Sequence, residues 1–159
     1  MKKISVFIIA LAALAGACGD YKKENNTSSE NPASSMSATN PDYDPKRGEG
    51  KWTAENIGIT DKLDEAKAKS GENISATKCL SCHKLSDEKL VGPGWAGVTK
   101  RRTPEWIMNF ITNPDPMIDK DPEAQAMLEI CLVRMPNQNL SDQEARDILE
   151  YMRQIDGVK

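Results

Sequence analysis

Two cysteines separated by two residues run straight into a histidine, Cys79-Leu80-Ser81-Cys82-His83, and the chain has no other histidine. Four chemistries compete for such a cluster. Two thiols at this spacing can add across the vinyl groups on one edge of a porphyrin, leaving the next residue to offer a ring nitrogen to the iron: the c-type haem attachment pattern. A thioredoxin-like redox pair uses the same CxxC but needs βαβ surroundings that are missing here. A zinc site would draw on Cys79, Cys82, His83 and Cys131, yet nothing else resembles a zinc module. A Cys79–Cys82 disulfide would close a strained short loop. The pattern points to one covalent haem c, with Cys79 and Cys82 as attachment thiols and His83 as an iron ligand.

With His83 the sole histidine, bis-histidine ligation within one chain is excluded. Two methionines sit beside helix-breaking prolines: Met135, before Pro136, and Met117, in Asn113-Pro114-Asp115-Pro116-Met117. Met127 and Met152 fall on apolar faces and read as core filling. Trp95, Arg101, Arg102 and Trp106 are candidate donors to haem propionates, each equally suited to core or surface. Cys131 reads as a small buried hydrophobe, not a thioether or zinc ligand, although an unpaired thiol leaves intermolecular pairing open.

The elements that must position these groups are helical, and no segment shows convincing strand alternation. Residues 61–69 form a charged helical stretch ending near Ser70-Gly71, with 71–79 either continuing it or starting a second helix. Thr103 is an N-cap followed by Pro104 at the first helical position and Glu105 in the first turn. Trp106, Ile107, Phe110 and Ile111 share a face, and Asn113-Pro114 ends that helix. Asp121-Pro122-Glu123 repeats the opening chemistry, with Met127, Leu128, Cys131 and Leu132 on the buried side. Ser141 and Glu144 form a capping box. Ala145, Ile148, Leu149, Met152 and Ile155 then make one apolar face, and Gly157 stands where a stop belongs. Residues 84–102 and 133–140 are long loops, too rich in Gly, Pro and Arg to be passive connectors in so small a domain. The expectation is an all-α domain of three to five short helices around one haem.

The chain opens MKKISVFIIALAALAGAC. Lys2 and Lys3 precede an apolar run too short for a comfortable membrane span, then small residues, then Cys18. This looks like a bacterial lipoprotein signal at 1–17, with Cys18 as the acylated first residue of the mature protein. Residues 18–60 are polar and Asn/Ser/Thr/Pro-rich, the composition of a lipid-anchored linker that cannot bury enough apolar surface to fold alone. Such a coil reaches about 35 Å. Trp52, Ile57 and Ile59 are its candidates for docking back on the domain at 61–159. Location on the periplasmic side, tethered to the inner or outer membrane, follows from the leader.

The chain has 159 residues and a net charge of −3 with both signs well mixed. No basic stripe is present, which argues against a nucleic-acid partner. Nothing supplies a general acid–base pair or a second metal, so no small-molecule substrate is expected.

Taken in order, these motifs resemble class I cytochromes c over most of residues 67–156. Gly71 lies eight residues before Cys79, where that family uses a glycine to let the first helix approach the last. Gly92-Pro93-Gly94-Trp95 resembles the loop whose proline carbonyl accepts the second ring N–H of the haem histidine. That bond would fix the His83 tautomer, making Pro93 a partner of the ligand. Arg134-Met135-Pro136-Asn137 before a capped helix resembles the axial-methionine segment, which implies Met135 as sixth ligand with Met117 as its rival. Tyr151 matches the aromatic that packs near the glycine.

The resemblance implies a one-electron carrier with His/Met-ligated haem c and redox-protein partners, not an enzyme. The alternatives are a haem enzyme or gas/redox sensor with an open or labile sixth site, and a haem-bearing structural subunit of a larger complex. Residues 92–102 and 134–139 are also similar to small cytochromes found alongside anaerobic reductases, nitrous oxide reductase among them. A terminal oxidase fits as acceptor equally well.

Overall fold

The computed structural model of the protein describes residues 43–159. The leader at 1–17, Cys18 and the linker to residue 42 lie outside the described residues. Seven helices follow in order: α1 (Ala54–Ile57), α2 (Glu65–Lys78), α3 (Val98–Arg101), α4 (Pro104–Thr112), α5 (Pro114–Lys120), α6 (Pro122–Cys131) and α7 (Asp142–Ile155). No strand occurs among the described residues. The count exceeds the expected three to five because α1 and α3 are single turns and the Asn113-Pro114 stop is also a start. Asn113 ends α4 and precedes Pro114 at the first position of α5. Met117 therefore lies on a helix, not in the Pro-bounded loop that the sequence suggested.

The most extensive helix pairing sets α2 against α7. Helix α2 runs unbroken through Gly71. A Cβ at that position would collide with the Asp147 carbonyl of α7, so the glycine permits the close crossing. Helix α7 starts with the expected capping box: the Glu144 N–H donates to Ser141 Oγ at 3.2 Å and the Ser141 N–H to Glu144 Oε2 at 2.8 Å. Its face of Ala145, Ile148, Leu149 and Met152 is buried. Thr103 and Asp121 cap α4 and α6 as their types predict.

Two expectations need correction. First, residues 43–60 are more than linker: the docking back expected of Trp52, Ile57 and Ile59 occurs, and it extends to the segment's backbone. Trp52 and Ile57 are each 2% exposed, and Ile59 packs against the same core. The segment's backbone is clamped by side chains of the helical body. Asn109 Nδ2 donates to the Arg47 and Trp52 carbonyls, and Asn109 Oδ1 accepts from the Trp52 N–H. Arg146 reaches the Ile57 carbonyl, and Arg153, ion-paired to Glu150 at 2.7 Å in the interior, reaches that of Thr60. Charged clamps that span 89 and 93 residues leave no local trace in a polar sequence. Second, Leu132 is not on the buried side of α6. The helix ends at Cys131, and Leu132 turns into the left-handed region (φ 58°) with 83% of its surface exposed. Cys131 is half-buried, not fully buried.

Candidate functional site

A cavity of ≈ 440 Å³ opens between α2, the 82–98 loop, α4, α6 and α7. Cys79, Cys82 and His83 line it on one side, and Met135 lines it too. Cys79 is buried, which pushes its thiol up, and Cys82 is half-buried. Neither is in a disulfide. The turn that presents them is closed by Cys82 and His83 N–H groups donating to the Cys79 carbonyl, each at 3.0 Å.

The imidazole is held from two directions. Its Nδ1 lies 2.8 Å from the Pro93 carbonyl, so Nδ1 carries the proton and donates, and Nε2 is left with its lone pair. Gly92 lies against the ring: a Cβ there would run into Cε1 and come within 2.8 Å of Nδ1. The loop itself is pinned by Val91 and Gly92 N–H groups donating to the Cys82 carbonyl at 3.2 and 2.8 Å. Trp95 stacks obliquely on His83, centroids 5.8 Å apart, and meets Tyr151 edge-on at 6.4 Å.

The two methionines separate cleanly. Met135 lines the cavity. Met117 is fully buried elsewhere, its sulfur accepting the Glu49 N–H at 2.9 Å and its tip lying where a Gly48 Cβ would go. Met127 and Met152, read as filling, also line the cavity. The propionate-donor candidates all line it, but three of the four are occupied. Trp106 Nε1 donates to the buried Asp121 at 2.9 Å, and the Arg101 guanidinium donates to the Ala96 carbonyl at 2.6 Å. Arg102 lies 4.5 Å over the Trp106 ring and pairs with Glu123. Burial pushes its guanidinium below the ordinary range.

Sequence reasoning missed Gly92 as the residue that seats the ring, and missed Asp121 as more than a cap. Asp121 Oδ2 collects the Trp106 indole and the Tyr43 hydroxyl while Oδ1 caps α6. Burial and that carboxylate push the Tyr43 phenol well above its usual range. Asp156 was missed as well. It accepts the Gly97 and Thr99 N–H groups and the Thr99 hydroxyl. Burial pushes its carboxyl up, and those three bonds outweigh it, for a net downward shift.

The residues fit a haem. The cavity has the volume of a cofactor pocket, which spans about 300–1,000 Å³. Its lining includes Ile107, Phe110, Ile111 and Ile148, with two thiols and an imidazole at one edge and a thioether in the wall. No group of three or more His, Cys, Asp or Glu is placed to hold a metal among the described residues.

A small helical domain with this donor set defines a c-type cytochrome carrying one covalent haem. Residues 68–156 match the Cytochrome c family, and the chain belongs to it. It is similar to cytochrome c from Rhodothermus marinus, with 37% identity and TM-score 0.62 over 70% of this chain and 92% of that one. It is also similar to an engineered Rhodothermus marinus cytochrome c solved with a bound carbene intermediate, with 36% identity and TM-score 0.61 over 71% of this chain and 98% of that one. Comparison with curated protein sequences gave no match. The cofactor is haem c, and the domain's chemistry is haem-based electron transfer.

Proposed function

We propose that this protein is a one-electron carrier of an extracytoplasmic respiratory chain. Cys79 and Cys82 would hold the haem as thioethers, and His83 and Met135 would ligate its iron. It is held at the periplasmic side by a lipid on Cys18 and passes electrons to a terminal oxidase or an anaerobic reductase, nitrous oxide reductase being one candidate. The supporting observation is that Met135 shares a cavity with the CxxCH turn while Met117 is locked in the core. The haem supplies a one-electron iron couple whose potential a soft sulfur ligand raises. The chain's own residues do the rest. Pro93 holds the imidazole proton at Nδ1, Gly92 leaves room for the ring, and the apolar walls exclude water.

The test is a pair of variants. Met135→Ala should abolish the far-red sulfur-to-ferric-iron charge-transfer band, lower the reduction potential and open the iron to cyanide. Met117→Ala should do none of these. The reverse pattern, or a wild type without the band, would sink the His/Met assignment.

One observation favours a second reading, an enzyme or sensor with a labile sixth position. Among the described residues, 133–140 make no backbone–backbone hydrogen bond, so little of the described backbone holds the methionine segment closed. Rapid cyanide binding to the wild type, at a rate matching Met135→Ala, would select this reading.

A further inference from the structure

Six large apolar side chains are exposed among the described residues, and they come from two segments only: Leu85, Leu90 and Val91 from one, Ile130, Leu132 and Val133 from the other. The segments touch, since Lys89 Nζ donates to the Ile130 carbonyl at 3.2 Å. Val91 and Val133 line the cavity, so the patch borders its mouth. Leu85, Leu90, Ile130 and Leu132 do not line it, and their exposure is independent of what fills the cavity. Scattered exposed leucines need no explanation, but a contiguous group does. Leu132 is the extreme case. A left-handed residue at a helix end is ordinarily glycine, and here a leucine takes that strained backbone (φ 58°) with 83% of its surface in solvent.

The charges around the patch cancel. Lys84, Lys89 and Arg134 face Asp87, Glu88 and Glu129 in number. Lys84 pairs with Glu88 at 2.7 Å, Arg134 with Asp115 and Asp119, and Lys89 donates to the neutral Ile130 carbonyl. Among the described residues Lys89 is the one of these cations without a carboxylate partner, against Asp87 and Glu129 without a cation, so an acidic partner would meet more carboxylate than cation. An anionic lipid surface would meet three carboxylates. What complements such a face is another apolar, near-neutral protein surface.

We propose that this patch is the docking face for a redox protein whose own contact surface is apolar and uncharged, with Leu132 as the central anchor. The proposal rests on the electron-carrier reading. One electron leaves this chain and one is gained by the partner, with no bond made or broken and no proton moved. Docking of this kind is insensitive to salt, unlike docking steered by charge.

The partner can be replaced by a surface of known chemistry. The holo-protein is placed on gold electrodes coated with methyl-terminated or carboxylate-terminated alkanethiol layers, and adsorption and electron exchange are read by voltammetry. The methyl surface should be preferred at both low and high salt. Leu132→Gln should weaken adsorption there by at least about tenfold, since a leucine's burial is removed. The potential measured in solution with mediators should not move. Preference for the carboxylate surface with loss at high salt would overturn the proposal, as would an unchanged Leu132→Gln. Concentration-dependent dimerisation that Leu132→Gln abolishes would assign the face to a second copy. Flotation with phosphatidylcholine vesicles that Leu132→Gln abolishes would assign it to lipid. If the wild type shows no reversible one-electron couple in solution yet still adsorbs to the methyl layer, the carrier reading fails and the apolar face stands.

Discussion

The histidine side of the cavity is tied together by its own backbone. Cys82, His83, Val91, Gly92, Trp95 and Ala96 all donate N–H bonds within residues 79–96, and Pro93 closes on the imidazole. The methionine side has nothing comparable. Residues 133–140 are held by side chains: Arg134 on the α5 carboxylates Asp115 and Asp119, and Asn137 Nδ2 at 3.4 Å from the Thr112 carbonyl. Their other bonds are local, Gln138 to the Pro136 carbonyl and the Asn139 N–H to the Asn137 side chain. The imidazole is thus presented by a pre-set frame and Met135 by an arm pinned at its ends. A rigid frame fixes the orientation and tautomer of His83. Under the proposed ligation, an arm would let surface residues adjust how firmly the methionine is held.

The largest expected effect lies behind the arm and leaves the site alone. Met117 is fully buried between Gly48, the Glu49 N–H and α5. Met117→Ala should cost about 2–5 kcal/mol in denaturant unfolding with the far-red band intact. Loss of the band with normal stability would reverse the roles of the two methionines.

On the rigid side, Gly92→Ala forces a Cβ into the His83 ring. The ring cannot yield without giving up Pro93, so the overpacking should cost about 1–3 kcal/mol and perturb the haem spectrum. An alanine tolerated without any spectral change would mean that this wall gives as readily as the other.

On the arm, Arg134→Gln removes two surface ion pairs worth about 0.2–1 kcal/mol each. Cyanide binding should speed up roughly threefold to tenfold, and Arg134→Lys should restore part of the difference. Equal rates for wild type and Arg134→Gln would show that the arm is held by something other than these pairs.

The same contrast governs what could be read in advance. The CxxCH turn was legible because its chemistry is local, and α7 because a capping box and a 3.6-residue apolar period agree. The segment before residue 61 was legible only in part. Trp52, Ile57 and Ile59 marked it as able to dock, but its backbone partners Asn109, Arg146 and Arg153 read as ordinary polar positions. Periodicity put Leu132 on the buried face because a period cannot see where a helix ends. Met135 was preferred to Met117 on the resemblance and the capped helix that follows it, and Met117 stayed a rival because both stand beside prolines. Only the packing of Glu49 and Gly48 on Met117 removes that methionine from the cavity.

The smallest effect concerns the one contact that joins the two sides. Lys78 precedes Cys79 on the rigid side, and its Nζ lies 3.1 Å from Glu144 Oε1, next to the Ser141 cap that ends the arm. The Ser141 N–H, then Lys78, hold the Glu144 carboxyl down from an ordinary 4.5 to about 2. A carboxylate depressed in the folded state stabilises it fully above the unfolded value and loses that contribution as pH falls through the folded value. Wild type should therefore be more stable than Glu144→Gln by a constant margin above about pH 5, and the margin should close on acidification through the window bounded by 4.5 and about 2. Thermal unfolding of the two proteins across that range measures it directly. The Lys78 and Glu144 side chains are each about one-third exposed, so salt should shrink the Lys78 share of the margin and leave the Ser141 share. A margin that stays constant to pH 2, or widens, would mean that Glu144 titrates normally and that the two sides of the cavity are not joined through it.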